Sequence, residues 1–299
     1  MSEADPDPTS EALIANLKAL LDVEEIDTDL YRGARQPGGK GRVFGGQVIA
    51  QALMAATRST STNRIAHSLH AYFMRPGDED HPIIYRVSRD YDGGSFSTRR
   101  IIAFQQGKPI LNMAASFQAN ESGFDHQADM PPAPDPETLP DAAERRRRIL
   151  ETVPEAQRAW FMRPRPFDLR PVSREGWLTG ERLDPSQLIW FRATAPVEDD
   201  ATMHRAMLAY ASDMYLLGTA MRPHGINWLD GKVQTASLDH ALWLHADFRI
   251  DDWLLYVTDS PWAGGARGFN RGTIYTRDGR LVASVAQEGL IRSRARTVD

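Results

Sequence analysis

Leu69-His70-Ala71-Tyr72-Phe73 returns later in the chain as Leu244-His245-Ala246-Asp247-Phe248. A looser pair accompanies it: Gly107-Lys108-Pro109-Ile110 and Gly279-Arg280-Leu281-Val282. The separations are 175 residues (69 to 244) and 172 residues (107 to 279), so the two anchors keep nearly the same spacing in each half. One long period used once suggests two fused copies of a domain, not a solenoid of short repeats.

The surroundings of the two anchors agree with this. Around the first, strand-like runs cover Arg64 to Met74, Ile83 to Tyr91, Phe96 to Gln106 and Pro109 to Ala119. Turn signals at Pro76-Gly77-Asp78, Asp92-Gly93-Gly94 and Gln106-Gly107 separate them, which predicts an antiparallel meander. A helix from Gly46 to about Thr57 precedes the strands and carries no charge, so most of its sides should be covered. Further upstream, Ser10 to Val23 has apolar residues at helical spacing with Ser10 as candidate cap, and Arg32 to Arg42 reads as a glycine-rich loop. Around the second anchor the order restarts: strands at Phe167 to Val172 and Leu188 to Ala195, a helix from about Ala201 to Ala220, then strands near Thr235 to Ile250, Trp253 to Asp259, Gly268 to Thr276 and Leu281 to Ile291.

Between the halves the composition changes. The run Met130-Pro131-Pro132-Ala133-Pro134-Asp135-Pro136 cannot form a regular ladder. Ala142 to Thr152 reads as a short charged helix, whose Arg145 to Arg148 point all around its axis and so form a solvated face, not a nucleic-acid patch. The expected organisation is an N-terminal domain at 10–120, a linker at 121–165 and a C-terminal domain at 166–295. Each domain is a central helix followed by four antiparallel strands, which is an α+β arrangement of the hot-dog type. Two copies make a double hot dog, and a helix placed before a meander excludes an alternating parallel sheet.

Composition narrows the functional classes. Hydrophobic residues at 41% and charged residues at 25% describe a soluble globular chain. The net charge of −5 gives no general attraction to nucleic acid. The absence of cysteine excludes disulfides, thiolate catalysis and cysteine metal sites. Met1 to Pro8 is acidic and lacks the pattern of a signal peptide, and Arg296-Thr297-Val298-Asp299 is not a peroxisomal address. With no apolar run long enough to span a bilayer, the expected compartment is the cytoplasm.

Three polar residues of the second half stand out. Asp213 lies in an apolar helix with Ala209, Tyr210 and Leu217 on its own face. A carboxylate there loses solvation, which strengthens it as a base, although a capping or hydrogen-bonded structural aspartate fits the same pattern. Gln287 shares strand parity with Ala283, Val285, Gly289 and Ile291, so its amide needs partners, from a bound water or from a neighbouring loop. Ser237 begins a strand-like run and by itself decides little. His240 groups with Leu238, Leu242 and Leu244, as a hydrogen-bonded core histidine would.

Several longer blocks closely resemble the acyl-CoA thioesterase II family. They are Gly45-Gly46-Gln47-Val48-Ile49-Ala50-Gln51-Ala52-Leu53, His67 to Asp78, Phe96-Ser97-Thr98-Arg99-Arg100, Ala236-Ser237-Leu238-Asp239-His240, Ser260 to Gly265 and Gln287-Glu288-Gly289. The resemblance runs in order from about residue 12 to 294, and only the linker departs from it. It implies a double hot dog that hydrolyses acyl-CoA to a free acid and CoA, with Asp213, Ser237 and Gln287 matching the family's catalytic Asp, Thr or Ser, and Gln. The implied chemistry is direct attack by water, with Asp213 as general base and the other two holding the water. Helix N-terminal amides at Gly45 and Gly46 would meet the oxyanion, and Arg75, Arg99, Arg267 and Arg271 are candidates for the CoA phosphates. No metal or redox cofactor is implied, and further self-association is compatible with the fold.

Other classes fit less well. A hydratase dyad would need histidine five residues after Asp78, where Ile83 stands. A serine nucleophile would need Gly-x-Ser-x-Gly, and Gly93-Gly94-Ser95-Phe96-Ser97 lacks the last glycine. Gly39-Lys40-Gly41 is not a phosphate loop. A protein that binds acyl-CoA without turnover has no need of all three polar residues, yet all three are present.

Overall fold

The computed structural model describes residues 7–36, 39, 41–226 and 230–294. The chain ends on which the leader and targeting readings rest lie outside the described residues, apart from Asp7 and Pro8, as do Pro37 and Lys40 of the glycine-rich loop. In chain order the helices are α1 (Ser10–Leu21), α2 (Gly45–Arg58), α3 (Ala142–Thr152), α4 (Glu155–Met162), α5 (Gly176–Thr179), α6 (Ala201–Ser212) and α7 (Leu216–Met221). The strands are β1 (Val23–Asp27), β2 (Leu30–Gly33), β3 (Arg64–Phe73), β4 (Ile83–Asp92), β5 (Phe96–Gln105), β6 (Lys108–Ala119), β7 (Phe167–Pro171), β8 (Ser186–Ala193), β9 (Val233–Ser237), β10 (Asp239–Leu244), β11 (Leu254–Gly264), β12 (Arg267–Thr276) and β13 (Leu281–Ser293).

All of these strands join one sheet in the order β1-β2-β4-β5-β6-β3-β10-β13-β12-β11-β8-β7, with β9 also on β13. Counted from either edge the order is the same. The halves meet where β3 pairs with β10, with Leu69 opposite Leu242 and His70 opposite Ala241. The expected meander therefore holds for β4-β5-β6, but β3 lies beyond β6, not beside β4. Turn signals fix hairpins between neighbours. They do not say which open edge an earlier strand joins.

The pentapeptide repeat is out of register with this symmetry. Leu69 sits opposite Ala115, eight residues after Gly107, and Gln287 is eight residues after Gly279. Ala286 pairs with Ala241, so the counterpart of Leu69 is His240, not Leu244. The strand expected over Thr235 to Ile250 is interrupted and leaves the sheet after Leu244. Ser237 pairs with Gly289 and Ala241 with Ala286, which leaves one extra residue on the β9–β10 side. This is a β-bulge at Leu238, a device that re-aims neighbouring side chains.

Helices α2 and α6 pack together on one face of the sheet, and a single apolar core runs through both halves. Val48, Ile49 and Leu53 of α2 and Met207 and Leu208 of α6 lie in it with Leu69, Ile101, Leu242 and Ile274. Period-two alternation sends Trp190, Leu255 and Tyr275 to the other face. There the connecting segment covers them with Met130, Ala133 and Leu139. Trp190 Nε1 donates to the Pro134 carbonyl at 2.9 Å, and Trp253 Nε1 to Glu137 at 3.0 Å. Residues 130–139 therefore run as a strap along the second half of the sheet. Arg145 also departs from the solvated face expected of it: it is paired with Glu175 at 2.5 Å and donates to the Tyr215 hydroxyl at 2.8 Å.

Candidate active site

The helix expected over Ala201 to Ala220 stops at Ser212 and resumes at Leu216. Asp213 is the C-cap of α6, and Tyr215 adopts a left-handed conformation at φ 64°. A non-glycine residue there costs on the order of 1–3 kcal/mol unless its surroundings hold it. Gln187 Nε2 donates to the Tyr215 carbonyl at 3.1 Å, and Arg145 fixes the hydroxyl end of the side chain. The break releases Asp213 from the helical run and leaves it 9% exposed, facing the sheet and the start of α2.

Ser237 Oγ donates to Asp213 Oδ1 at 3.1 Å, and Gln287 Nε2 donates to the same oxygen at 2.6 Å. Ser237 is the last residue of β9, and Gln287 stands two positions from its ladder partner Gly289 on β13. The structure thus brings the three polar residues of the sequence reading around one carboxylate oxygen. Two donors compensate for the hydration that the buried carboxylate loses. The other oxygen, Oδ2, faces Gly45: a Cβ built there would stand 2.6 Å from it and 3.0 Å from the Phe73 ring. A Cβ on Gly46 would collide with the Tyr210 carbonyl and the Phe44 ring. These two glycines let the N-terminus of α2 approach the end of α6. The first amides of a helix have no intrahelical partner and attract negative charge.

Behind Gln287 lies His240, buried at 1% exposure. Its Nδ1 is 3.1 Å from Gln287 Nε2 and 4.0 Å from Asp213 Oδ1, and its Nε2 is 2.9 Å from Ser212 Oγ. Burial lowers its pKa, against the opposing effect of the Asp213 charge. Strand parity marked this residue as buried and hydrogen-bonded. Nothing local to it marked which groups it would touch.

Asp213, Ser237 and Gly45 line a cleft of about 1540 Å³, together with Val43, Phe44, Val48, Phe73, Tyr210 and Leu217. Gln287 is fully buried and reaches the cleft only through Asp213. Wide apolar walls with a few convergent polar groups are the features of a small-molecule site.

The family profile described as acyl-CoA thioesterase matches residues 156–290, and the profile for the acyl-CoA thioesterase N-terminal domain matches residues 34–118. Acyl-coenzyme A thioesterase 8 of Homo sapiens is 40% identical over 294 residues, which is 96% of this chain and 92% of that protein. The chain belongs to the acyl-CoA thioesterase family. The crystal structure of the acyl-CoA thioesterase II TesB2 from Mycobacterium marinum superposes with a TM-score of 0.77 at 39% identity, covering 93% of this chain and 99% of the other. A protein of unknown function with a hot-dog fold from Alicyclobacillus acidocaldarius gives a TM-score of 0.73 at 18% identity, covering 92% and 97%. The fold is of the hot-dog type, with one large antiparallel sheet.

Within this thioesterase fold the four arginines considered for phosphate binding are not equivalent. Arg75 lines the cleft, with one guanidinium nitrogen donating to the Pro109 carbonyl at 2.8 Å. Arg99 is 1% exposed and donates to Ser59, to the carbonyls of Tyr91 and Thr98, and to Asp92 at 2.8 Å. That guanidinium is committed to joining β5 to the end of α2 and is withdrawn as a phosphate ligand. Arg267 pairs with Glu288 and lies over the Trp262 ring, and Arg271 pairs with Asp259 across β11 and β12. Neither lines the cleft. The sequence reading missed Arg42, Arg146 and Arg163, which do line it. Arg146 was grouped with a solvated helix face because the docking of α3 depends on contacts remote in sequence.

Proposed function

We propose that the protein hydrolyses acyl-CoA thioesters to a carboxylic acid and CoA, with Asp213 as general base. The observation that carries this reading is the convergence of Ser237 and Gln287 on Asp213 Oδ1, which leaves Oδ2 toward the cleft and the start of α2. Water attacks the thioester carbonyl carbon and its proton passes to Asp213. Gln287 holds the carboxylate in place through Oδ1, and Ser237, which lines the cleft, holds both the carboxylate and the water. The tetrahedral oxyanion is stabilised by the first amides of α2, where Gly45 and Gly46 leave room for it. Collapse breaks the C–S bond, and the proton held by Asp213 passes to the departing sulfur. Arg75, Arg42 and Arg146 supply positive charge for the CoA phosphates.

The chain is read as a double hot dog: units at 10–120 and 166–295, joined by the connecting segment at 121–165. Thiol release from acyl-CoAs of increasing chain length, for wild type and Asp213→Asn, tests the function. The variant should fall by about 10²–10⁴-fold in kcat with its fold intact. Equal rates would remove Asp213 as the base. Acyl-CoA that binds without turnover in wild type would favour a binding protein.

A further inference from the structure

We propose that His240 is a positioning residue for this reaction, holding the Gln287 amide and through it the Asp213 carboxylate. The proposal rests on Asp213 being the base. Donor and acceptor accounting around His240 leaves one consistent arrangement. Gln287 Nε2 carries two hydrogens: one goes to Asp213 Oδ1 at 2.6 Å, and the other points at His240 Nδ1, 3.1 Å away. Nδ1 must therefore be the unprotonated acceptor. On the far side of the ring, Ser212 Oγ donates to the Ala209 carbonyl at 2.9 Å, so it accepts from His240 Nε2 at 2.9 Å. The Ser212 carbonyl is in turn held by the Tyr256 hydroxyl at 2.8 Å. The chain of bonds from Gln287 to Ala209 closes only for neutral His240 protonated at Nε2.

Reversing the Gln287 amide would set its oxygen against the Asp213 carboxylate and against Nδ1, so the ring and the carboxylate select the same orientation. One product of that selection is that Gln287 Oε1 is buried without a protein partner. A buried amide oxygen left unpaired costs about 1–3 kcal/mol. It is retained here because turning the amide would break two bonds and bring the oxygen against two acceptors instead of a donor.

A core filler and a positioning residue answer differently to substitution. His240→Leu keeps the bulk and removes both polar ends, whereas His240→Asn returns an acceptor near the place of Nδ1. The expected result is a loss of kcat for His240→Leu on the order of 10–100-fold, typical of orienting partners behind a reactive group. KM should stay within about threefold, since ground-state binding is untouched. His240→Asn should recover most of the lost kcat. Nitrogen NMR of histidine-labelled wild type should show His240 protonated at Nε2 only, a readout that does not depend on any variant folding. His240→Leu turning over at the wild-type rate, Asn performing no better than Leu, or an Nδ1-protonated ring would each overturn the proposal. Asp213→Asn run alongside separates the two readings. If Asp213→Asn is inactive while His240→Leu is fully active, only the positioning role fails. If Asp213→Asn is itself fully active, the base assignment fails and the positioning role with it.

Discussion

Gly45 matters for what it lacks. The space where its Cβ would stand is the space between α2 and Asp213 Oδ2. Gly45→Ala should push the carboxylate or the Phe73 ring aside, and a displacement of that order costs about 10²-fold in rate. The check is kcat by thiol release, with thermal unfolding expected to move little. Arg99 is the opposite case, a charged residue whose role is entirely structural. Arg99→Met should cost about 3 kcal/mol in denaturant unfolding, because it breaks bonds to Ser59, two carbonyls and Asp92, while KM for acyl-CoA stays unchanged. The same pair has a pH signature. Hydrogen bonds from Arg99, and then from Ser97, hold the Asp92 pKa below its ordinary value. The stabilisation is therefore complete above the ordinary carboxyl range and is lost as pH falls through the lowered value. The acid end of the stability curve should be flatter in Arg99→Met than in wild type.

At the scale of elements, the connecting segment does more than join. The guanidinium groups of Arg170 and Arg192 lie over the Trp253 ring, at 4.8 and 4.4 Å, and its nitrogen reaches Glu137 in the strap. Trp253→Ala should destabilise by about 3–5 kcal/mol, read from denaturant unfolding, with kcat per folded molecule preserved. None of this showed in the proline-rich sequence, because the partners that give the segment a path, such as Trp190 and Trp253, are 56 and 116 residues away. The central helices and most of the strands were legible, since their periodicity is a local property. The β1–β2 hairpin was not: it is an edge hairpin with one fully buried residue in β1 and two in β2, so its sequence alternates too weakly. The break between α6 and α7 was also hidden. No glycine or proline marks it, and Tyr215 is held at positive φ by Gln187 and Arg145 from other elements. Asp213 could be found in the sequence as an anomalous carboxylate. Its capping geometry could not.

For the whole molecule, the repeated strand order around the β3–β10 seam places the halves in equivalent topological positions without making them chemically equivalent. Where the second half has Gln287 and His240, the first has Ala115 and Leu69, two apolar residues. The chain should therefore carry one working centre. Calorimetric titration with a non-hydrolysable acyl-CoA thioether is expected to saturate at one ligand per chain. A stoichiometry of two would mean that the first half has a functional counterpart built from other residues. The restart of the element order was legible in the sequence although its clearest anchor was four residues out of register, because halves with the same strand order share turns and strand lengths even where the matching peptides are coincidental.

The seam also changes what mutation can do to such a protein. When two identical subunits pair across a twofold axis, every substitution is made twice, so a residue that suits one side of the interface is imposed on the other. Joining the two halves through β3 and β10 within one chain removes that constraint. The two sides of the seam are free to differ, with the polar residues on the second half and apolar ones at the matching places of the first, and a change on one side carries no matching cost on the other.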